Sequence, residues 1–359
     1  IPAFAQKQLP NIIVMLSDDQ GWGDLGFTGN TFVQTPNIDR IAHEGTILEN
    51  FYVCPVSSPT RAEFLTGRYH VRSGVNSTTG GGERFNLGEK TIAEYFREAG
   101  YATSLFGKWH SGTQYPYHPN ARGFEEFYGF CSGHWGNYWN PVLEHNGEII
   151  SGEGFIIDDL TDKALDYIRD HKEHPFFMFL SYNTPHSPMQ VPDSWWNRVK
   201  DRTLSQRATF PEQEDTTFTK AALALAENLD WNIGRVLSLL HSLDLEQETI
   251  VIYFSDNGPN SFRWNGGMKG RKGSTDEGGV RSPFCIRWPG HIRKGAVETQ
   301  LSGAIDLIPT LLGLAGIEYT PLRKLDGIDW GQRLLDEKAP AMDRVLYSCL
   351  LYTSPSPRD

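Results

Sequence analysis

Short, mostly apolar runs that end in polar residues set the pattern of this chain. The four clearest runs are Asn11–Leu16, Ala102–Phe106, Phe176–Leu180 and Thr249–Phe254. An apolar run of four to eight residues between polar ones is typical of a strand that is buried on both faces. We therefore predict four buried strands, each followed at once by side chains suited to chemistry.

Helical periodicity separates these runs. One apolar face recurs at helical spacing and is formed by Leu225, Leu229, Ile233, Val236, Leu237 and Leu240. Segments Glu89–Glu98 and Asp158–His171 are predicted as further helices, and the polar segment Pro192–Thr217 as an irregular surface excursion. Strands that alternate with helices predict an α/β sheet covered on both faces, in which ligands bind beyond the carboxyl ends of the strands.

Charge and terminal sequence narrow the class of protein. The formal net charge of the 359 residues is −11, which argues against a nucleic-acid-binding surface. No apolar stretch approaches the roughly 20 residues that cross a bilayer, so no membrane span is expected. Ala3-Phe4-Ala5 has the small-x-small form of a signal-peptidase site. We expect residues 1–9 to be the remnant of a leader and the protein to be periplasmic or secreted.

The cysteines predict neither a disulfide nor a zinc site. There are four of them, Cys54, Cys131, Cys285 and Cys349, and no two form a CxxC pair. An even number permits disulfides without requiring them. Because nothing in the sequence has zinc-ligand spacing, we do not expect a structural zinc site.

Two clusters of hard oxygen donors follow two of the predicted strands. Asp18-Asp19 comes directly after the first strand, and Asp256-Asn257 follows the last of the four. Adjacent acids are common on solvated loops, so one pair alone carries little weight. Two clusters at strand ends together offer three carboxylates and an amide oxygen, which suits Ca²⁺, with Mg²⁺ as the alternative.

A small nucleophile stands before a predicted helix in the run Ser57-Ser58-Pro59-Thr60-Arg61. Backbone N–H groups at the start of a helix favour anions, and Arg61 adds a planar, permanently charged group. The alternative is that Ser57 is an ordinary helix cap. The arginine four residues further on favours a chemical role.

Four further cationic or titratable side chains lie at or near predicted strand ends: Lys108, His110, His186 and Lys272. Each taken alone is more often a solvated or structural residue. A tetrahedral oxyanion ester, however, needs cations around its oxygens and an acid for its leaving group. Their collection in a net-acidic protein therefore predicts an anionic substrate.

A series of short segments follows one order along the chain: Pro10–Ile13, Asp18-Asp19, Thr35–Asp39, Ser57–Arg61, Leu65–Arg68, Gly107–His110, Pro185-His186, Ser255–Gly258, Lys272–Arg281 and Asp306–Thr310. Each segment is a weak match, but together they are specific. With them the chain resembles the formylglycine-dependent sulfatases of the alkaline-phosphatase-like superfamily, whose pattern Cys/Ser-x-Pro-x-Arg matches Ser57–Arg61. The resemblance implies a central mixed, mostly parallel sheet with helices on both faces.

The resemblance also implies a role for each site residue. Ser57 would be oxidised to formylglycine, whose hydrated form attacks sulfur and later releases sulfate. Ca²⁺ would be held by Asp18, Asp19, Asp256 and Asn257 and would also contact the residue derived from Ser57. Arg61 and Lys108 would position the formylglycine, and His110 would be the base for sulfate elimination. His186 and Lys272 would bind the sulfate and assist the leaving oxygen.

The chain departs from the family pattern in two respects. Position 57 is Ser rather than Cys, and Cys54 does not replace it, because Val56 rather than Pro stands two residues later. Ser-type members depend on a bacterial radical-SAM maturase, so the resemblance implies a bacterial host and that partner. The family also carries a smaller C-terminal subdomain. We expect a catalytic domain over residues 10–335 and a truncated start of that subdomain, with an atypical tail, over residues 336–359.

Two other functions remain open from the sequence. A phosphoester or phosphonate hydrolase of the same superfamily would use unmodified Ser57, but such enzymes often bind two zinc ions and the sequence shows no His-rich set. A non-catalytic, metal-stabilised glycan-binding protein would stack sugars on aromatic residues such as Trp135, Tyr138 and Trp139. For a sulfatase, the expected substrate is a sulfated sugar. The segment Gly133–Trp139, with Arg263, Trp264 and Lys269, is predicted either to contact it or to pack locally.

Overall fold

The computed structural model describes residues 9–349, so the predictions for residues 1–8 and for the tail from 350 onward lie outside the described residues. The strands of this part of the chain are β1 Asn11–Ser17, β2 Thr46–Leu48, β3 Phe51–Tyr52, β4 Ala102–Lys108, β5 Glu126–Phe130, β6 Val142–His145, β7 Glu148–Ser151, β8 Phe176–Ser181, β9 Thr249–Ser255, β10 Phe284–Arg287, β11 Ala296–Glu298 and β12 Ser302–Gly303.

The α-helices of the same part are α1 Pro36–Glu44, α2 Ser57–Thr66, α3 His70–Ser73, α4 Ile92–Glu98, α5 Ile156–Asp170, α6 Asp193–Val199, α7 Thr216–Ser242, α8 Glu277–Val280, α9 Leu307–Ala315 and α10 Gly331–Leu335. None of these helices is both long enough and apolar enough to cross a membrane.

A ten-stranded mixed sheet organises the molecule in the order β11-β2-β10-β9-β1-β8-β4-β5-β6-β7. The five central strands, β9, β1, β8, β4 and β5, run parallel to one another. Antiparallel pairs add β10 on one side and the β6–β7 hairpin on the other. The predicted mixed, mostly parallel sheet is therefore confirmed, and its four predicted strands are all central.

Helices cover both faces of this sheet, because alternate residues of each strand point to opposite sides. From β1, Ile12 and Val14 join one apolar core, and Ile13 and Met15 join the other. The first core takes its helical cover from α2, α4 and α9, and the second from α1, α5 and α7. Because β1 is buried on both faces, its sequence reads as a continuous apolar run.

The segment Pro192–Thr217 is not the irregular excursion that its polarity predicted. It contains α6 and the first residues of α7. Trp195, Trp196 and Val199 of α6 pack with Leu223 and other residues of α7 in a small separate core. Three apolar side chains at helical spacing were enough to anchor a helix in an otherwise polar segment.

All four cysteines are unpaired, and three of them, Cys54, Cys131 and Cys285, are buried. The division into domains at residue 335 stays a prediction. Residues 336–349 contribute no helix or strand within the described range.

Candidate active site

Four neighbouring parallel strands bring the predicted site residues to one edge of the sheet. These strands lie in the order β9-β1-β8-β4. Asp256-Asn257 follows β9, Asp18-Asp19 follows β1, and His186 lies in the segment after β8. Lys108 is the last residue of β4, and His110 follows it. Lys272 reaches the same place from the loop before α8, since its ammonium lies 2.6 Å from a carboxylate oxygen of Asp19. The structure therefore brings together acids and cations that are up to 254 positions apart in sequence, from Asp18 to Lys272.

Ser57 is the first residue of α2 and points at an acid rather than capping the helix. The N-cap position is Val56, and no side chain caps α2. The Ser57 hydroxyl donates a short hydrogen bond to Asp256 Oδ2 and accepts one from Arg61 Nε at 3.0 Å. The helix-cap alternative for Ser57 is therefore wrong.

Arg61 is completely buried and joins three strand ends. Its Nη1 donates to the Lys108 carbonyl at 3.0 Å and to Ser181 Oγ at 2.6 Å, and its Nη2 contacts Asp256 Oδ2 at 3.1 Å. Its Nε also donates to Ser57. The planar guanidinium holds all of these N–H donors in fixed directions, which a single flexible ammonium group could not do. Arg61 thus fixes Ser57 relative to β4, β8 and β9.

The three carboxylates of the site each face a cation. Lys108 Nζ lies 2.6 Å from Asp18, Lys272 Nζ 2.6 Å from Asp19, and Arg61 Nη2 3.1 Å from Asp256. Burial alone would raise the pKa of Asp18, but Lys108, His186 and Arg61 together hold it below its ordinary value. The protein thus supplies three negative and three positive charges, and an added divalent cation would give the site a net attraction for anions.

Two oxygen atoms of the site have no partner. Asp18 Oδ1 and Asn257 Oδ1 are buried and make no hydrogen bond within the described chain. A buried polar atom left unpaired is costly and often marks the place of an ion or water. Both belong to the carboxylate and amide oxygens that Ca²⁺ and Mg²⁺ prefer, so the residues present fit a hard divalent cation.

His110 is held as a neutral base. Its Nε2 lies 2.9 Å from the Thr78 carbonyl, which can only accept, so Nε2 carries the proton. Its Nδ1 is buried and has no partner among residues 9–349. Burial, reinforced by Lys108, lowers the pKa of His110 well below its ordinary value. Gly133 packs against the ring, where an added Cβ would lie 2.1 Å from Nε2.

His186 stands between the acids and a more open region. Its Nε2 lies 3.5 Å from Asp19 Oδ2, and its ring centroid is 5.4 Å from that of His134. The pKa of His134 is lowered, mainly by partial burial and then by His186. The Tyr138 hydroxyl donates to the backbone carbonyl of His186 at 2.8 Å.

Sequence reasoning missed Ser181 as a positioning group and did not assign Arg263 its supporting role. Ser181 Oγ accepts from Arg61 and donates to the Lys108 carbonyl at 2.6 Å. Arg263, predicted as a candidate sugar contact, is instead buried: it pairs with Asp24 at 2.6 Å and donates to the Asp19 carbonyl at 2.9 Å. Asp19 has a positive φ of 65°, a conformation that needs such support.

Some aromatic residues of the segment Gly133–Trp139 are packed in the structure, and one is largely exposed. Tyr138 is buried, and Trp135 stacks on Phe130 with ring centroids 5.0 Å apart. Trp139 contacts Phe155, with ring centroids 5.5 Å apart, but remains 47% exposed. Beyond this segment, the candidate Lys269 pairs with Asp276 at the surface, 3.1 Å away. Local packing thus accounts for part of the segment only.

Comparison with known proteins gives one consistent family. The sulfatase family profile matches residues 10–317. N-acetylgalactosamine-6-sulfatase of Mus musculus is 32% identical over 96% of this chain and 69% of its own length. The chain spans about two thirds of the length of such relatives, from 65% to 69% of those of this name.

Solved structures agree. The structure of Ps i-CgsB in complex with k-i-k-neocarrahexaose is 32% identical, with a TM-score of 0.80 over 91% of this chain and 76% of that one. The PsFucS1 sulfatase from Pseudoalteromonas sp. is 26% identical, with a TM-score of 0.81 over 96% of this chain and 76% of that one.

Proposed function

Because this chain belongs to the sulfatase family, we propose that it hydrolyses the sulfate ester of a sugar and releases inorganic sulfate. One observation carries the proposal. Ser57 Oγ lies in contact with both Asp256 and Arg61, inside a buried cluster that also holds two unpartnered oxygen atoms. That arrangement places a nucleophile precursor beside a site built for a hard cation and an anion.

Ca²⁺ is the cation that the donor set favours, with Mg²⁺ as the alternative. Asp18, Asp19, Asp256 and Asn257 would hold it, with the side chain at position 57 as a further ligand. When bound, such a cation stabilises the negative charge that develops on the transferring group.

Formylglycine is the proposed working form of position 57. Its hydrated aldehyde supplies a hydroxyl for attack on sulfur and a second hydroxyl whose deprotonation permits sulfate release, so that the reaction is divided into two steps. The proposed partner for its formation is a radical-SAM maturase in a bacterial host, with the enzyme acting in the periplasm or outside the cell.

The position of each remaining site residue suggests its role. Arg61 and Lys108 orient the side chain at position 57, because Arg61 contacts it directly and also fixes the backbone of Lys108. His110 offers its Nδ1 lone pair as the base for elimination. His186 and Lys272, on the side of Asp19, bind the sulfate and assist the leaving oxygen.

A sulfated saccharide is the proposed substrate. One relative is named N-acetylgalactosamine-6-sulfatase, and one similar structure, that of Ps i-CgsB, is a complex with k-i-k-neocarrahexaose. The exposed ring of Trp139, and His134 beside His186, are the groups of this chain placed to meet such a substrate.

Peptide mass and sulfate release together test the proposal. Protein matured in a bacterial host with the maturase is expected to show a Ser57 peptide that has lost two hydrogens, and to release sulfate from at least one member of a panel of sulfated saccharides. Ser57→Ala should release none. The matched control is Ser58→Ala, because the Ser58 hydroxyl donates to the Ser77 carbonyl at 2.9 Å and not to a residue of the candidate site. Sulfate release by protein with an unshifted peptide mass would overturn the formylglycine step.

A further inference from the structure

Three potential metal ligands lie close together at α2 and its flanking segments, and none of them is a residue of the candidate active site. Cys54 lies three residues before α2, Glu63 lies within that helix, and His70 is the first residue of α3. One ligand atom from each can be chosen so that all three lie within 4.8 Å of one another, and all three residues are buried. The spacing of these residues in sequence gave no zinc pattern, which is why the cysteines alone predicted no such site.

The tautomer of His70 leaves a metal-binding lone pair. Its Nδ1 lies 3.0 Å from the Val75 carbonyl. A carbonyl oxygen only accepts, so the ring proton is on Nδ1 and Nε2 is unprotonated. Metal-bound histidines commonly donate their other ring N–H to a carbonyl in this way, which fixes the ring and the tautomer.

Glu63 is a buried acid that forms no ion pair with a Lys or Arg side chain among residues 9–349. Its Oε1 accepts a hydrogen bond from the His70 backbone at 3.2 Å. Burial raises its pKa to about 8, although hydrogen bonds from the His70 backbone and the Cys54 side chain favour the charged form. Burying a carboxyl in such a place is unfavourable unless a positive charge joins it.

A cavity of about 330 Å³ adjoins two of the three residues of this cluster. Cys54 and Glu63 line it, together with Tyr52, Tyr69 and Glu277. The cavity is also large enough to hold a water molecule as a fourth ligand, as three-residue zinc sites require.

We propose that Cys54, Glu63 and His70 form a second metal site that binds Zn²⁺. Thiolate and imidazole ligands select zinc over calcium, whereas the oxygen ligands at the sheet edge select calcium. One thiolate and one carboxylate neutralise a divalent ion, which suits a buried site. Typical zinc bond lengths place ligand atoms about 3.5 Å apart, so no pair of ligand atoms would need to approach by more than roughly 1.3 Å.

Zinc at this site would clamp the helix that carries Ser57. Its ligands come from the approach to α2, from the helix itself and from α3. The backbone N–H of Cys54 donates to Thr60 Oγ1 at 2.9 Å, and that hydroxyl donates to the Asp256 carbonyl at 2.6 Å. The clamp is therefore connected through two hydrogen bonds to an acid of the candidate active site.

Cobalt spectroscopy on the full chain tests the site without any mutation. Co²⁺ added to metal-free protein is expected to give one thiolate-to-cobalt charge-transfer band, which one equivalent of Zn²⁺ removes. The oxygen site cannot produce such a band. Its absence from the wild-type protein would overturn the proposal, whatever the sulfatase activity proves to be.

Variants identify the ligands. Cys54→Ser should abolish the band, and Glu63→Gln and His70→Gln should weaken Zn²⁺ binding by at least tenfold. The matched control is Cys131→Ser, from a second Cys-Glu-His cluster in which His118 Nε2 already bonds to Glu144 at 2.5 Å. Loss of the band in Cys131→Ser but not in Cys54→Ser would contradict the assignment. Because Ser57→Ala should bind Zn²⁺ normally, failure of this site and failure of the sulfatase proposal remain distinguishable.

Discussion

Arg61 shows how much of the candidate site depends on a single buried side chain. Its guanidinium contacts Ser57, Ser181, Asp256 and the carbonyl of Lys108, and it has no exposed surface. Each contact joins a different element, so the group acts as a fixed centre for α2 and three strand ends. Its charge also offsets the buried carboxylate of Asp256.

Arg61→Lys is expected to lower kcat by roughly 100-fold or more, because a single ammonium cannot make all of these contacts and Ser57 would lose its orientation. The free energy of unfolding should fall by about 1–3 kcal/mol, because buried acceptors of Arg61 lose their hydrogen bonds while the positive charge is kept. Sulfate release and urea unfolding measure the two effects. Arg169→Lys, which keeps an exposed pair with Asp166 on α5, is the control. Unchanged kcat in Arg61→Lys would remove Arg61 from the mechanism.

At the residue scale, the sequence predicted those site residues whose type is unusual at the end of a buried strand. Asp18 and Asp256 follow apolar strands directly, and buried acids there call for an explanation. Ser181 follows an apolar strand in the same way, but a serine is common at a strand end and carries no distinguishing charge. Glu63 and His70 were missed for a different reason: only the packing of α2 against α3 brings them to Cys54.

At the scale of elements, the apolar runs predicted four of the five central strands to within one or two residues, and β5 was not predicted. The boundaries differ at polar ends, as in β4, which extends through Gly107 and Lys108 because both pair with β5. Helix α4 begins at Ile92 rather than Glu89, since Thr91 and Glu94 form a capping box. Helix α6 was not predicted, because its stability depends on contacts with α7 that the local sequence does not show.

Gly107 is a sharp constraint within β4. Its φ is +114°, and an added Cβ would lie 1.9 Å from the Ser181 carbonyl oxygen of β8. Gly107→Ala is therefore expected to lower the free energy of unfolding by more than about 4 kcal/mol, or to prevent folding. Thermal unfolding measures the change.

Gly100→Ala is the matched control for that substitution. Gly100 also has a positive φ, of 87°, but an added Cβ would meet nothing within 4 Å. Only the backbone cost of about 1–2 kcal/mol is expected there. Equal losses in the two variants would show that φ, and not the contact between β4 and β8, sets the requirement for glycine.

At the scale of the whole molecule, buried acids couple stability to pH. Asp230 on α7 accepts hydrogen bonds from the backbone N–H groups of Asn37 and Ile38, at 2.9 and 2.8 Å, and so joins α7 to the start of α1. Burial nevertheless raises its pKa to about 7. The folded protein thus binds a proton that the unfolded chain releases near its ordinary pKa of about 4.

Stability from this group should be fully present below about pH 4 and should be lost as pH rises toward about 7. Asp230→Asn keeps the shape of the side chain and cannot ionise. As pH rises across this interval, the free energy of unfolding of the variant should therefore increase relative to that of the wild type, by up to about 4 kcal/mol. Urea unfolding at a series of pH values checks this. A constant difference between the two proteins would exclude Asp230 as the source.

Calcium should stabilise the fold as a whole, because its proposed ligands directly follow β1 and β9 at the centre of the sheet. Adding Ca²⁺ to chelator-treated protein at 100 times its Kd is expected to contribute about 2.7 kcal/mol and to raise the midpoint of thermal unfolding. Asp18→Asn should lose most of this response. A midpoint that does not change with Ca²⁺ in the wild type would contradict the proposed metal ligands.

The position of β1 has a consequence for the time course of synthesis. β1 pairs with β8 and β9, and Asn11 lies 238 positions before its partner Thr249. A ribosome that adds about 5–20 residues per second makes that second neighbour roughly 10–50 s after the first strand. Throughout this interval an apolar segment destined for the centre of the sheet has no partner on that side. The nascent chain is thus most open to aggregation before β9 is made, and a chaperone that shields β1 would act in that interval.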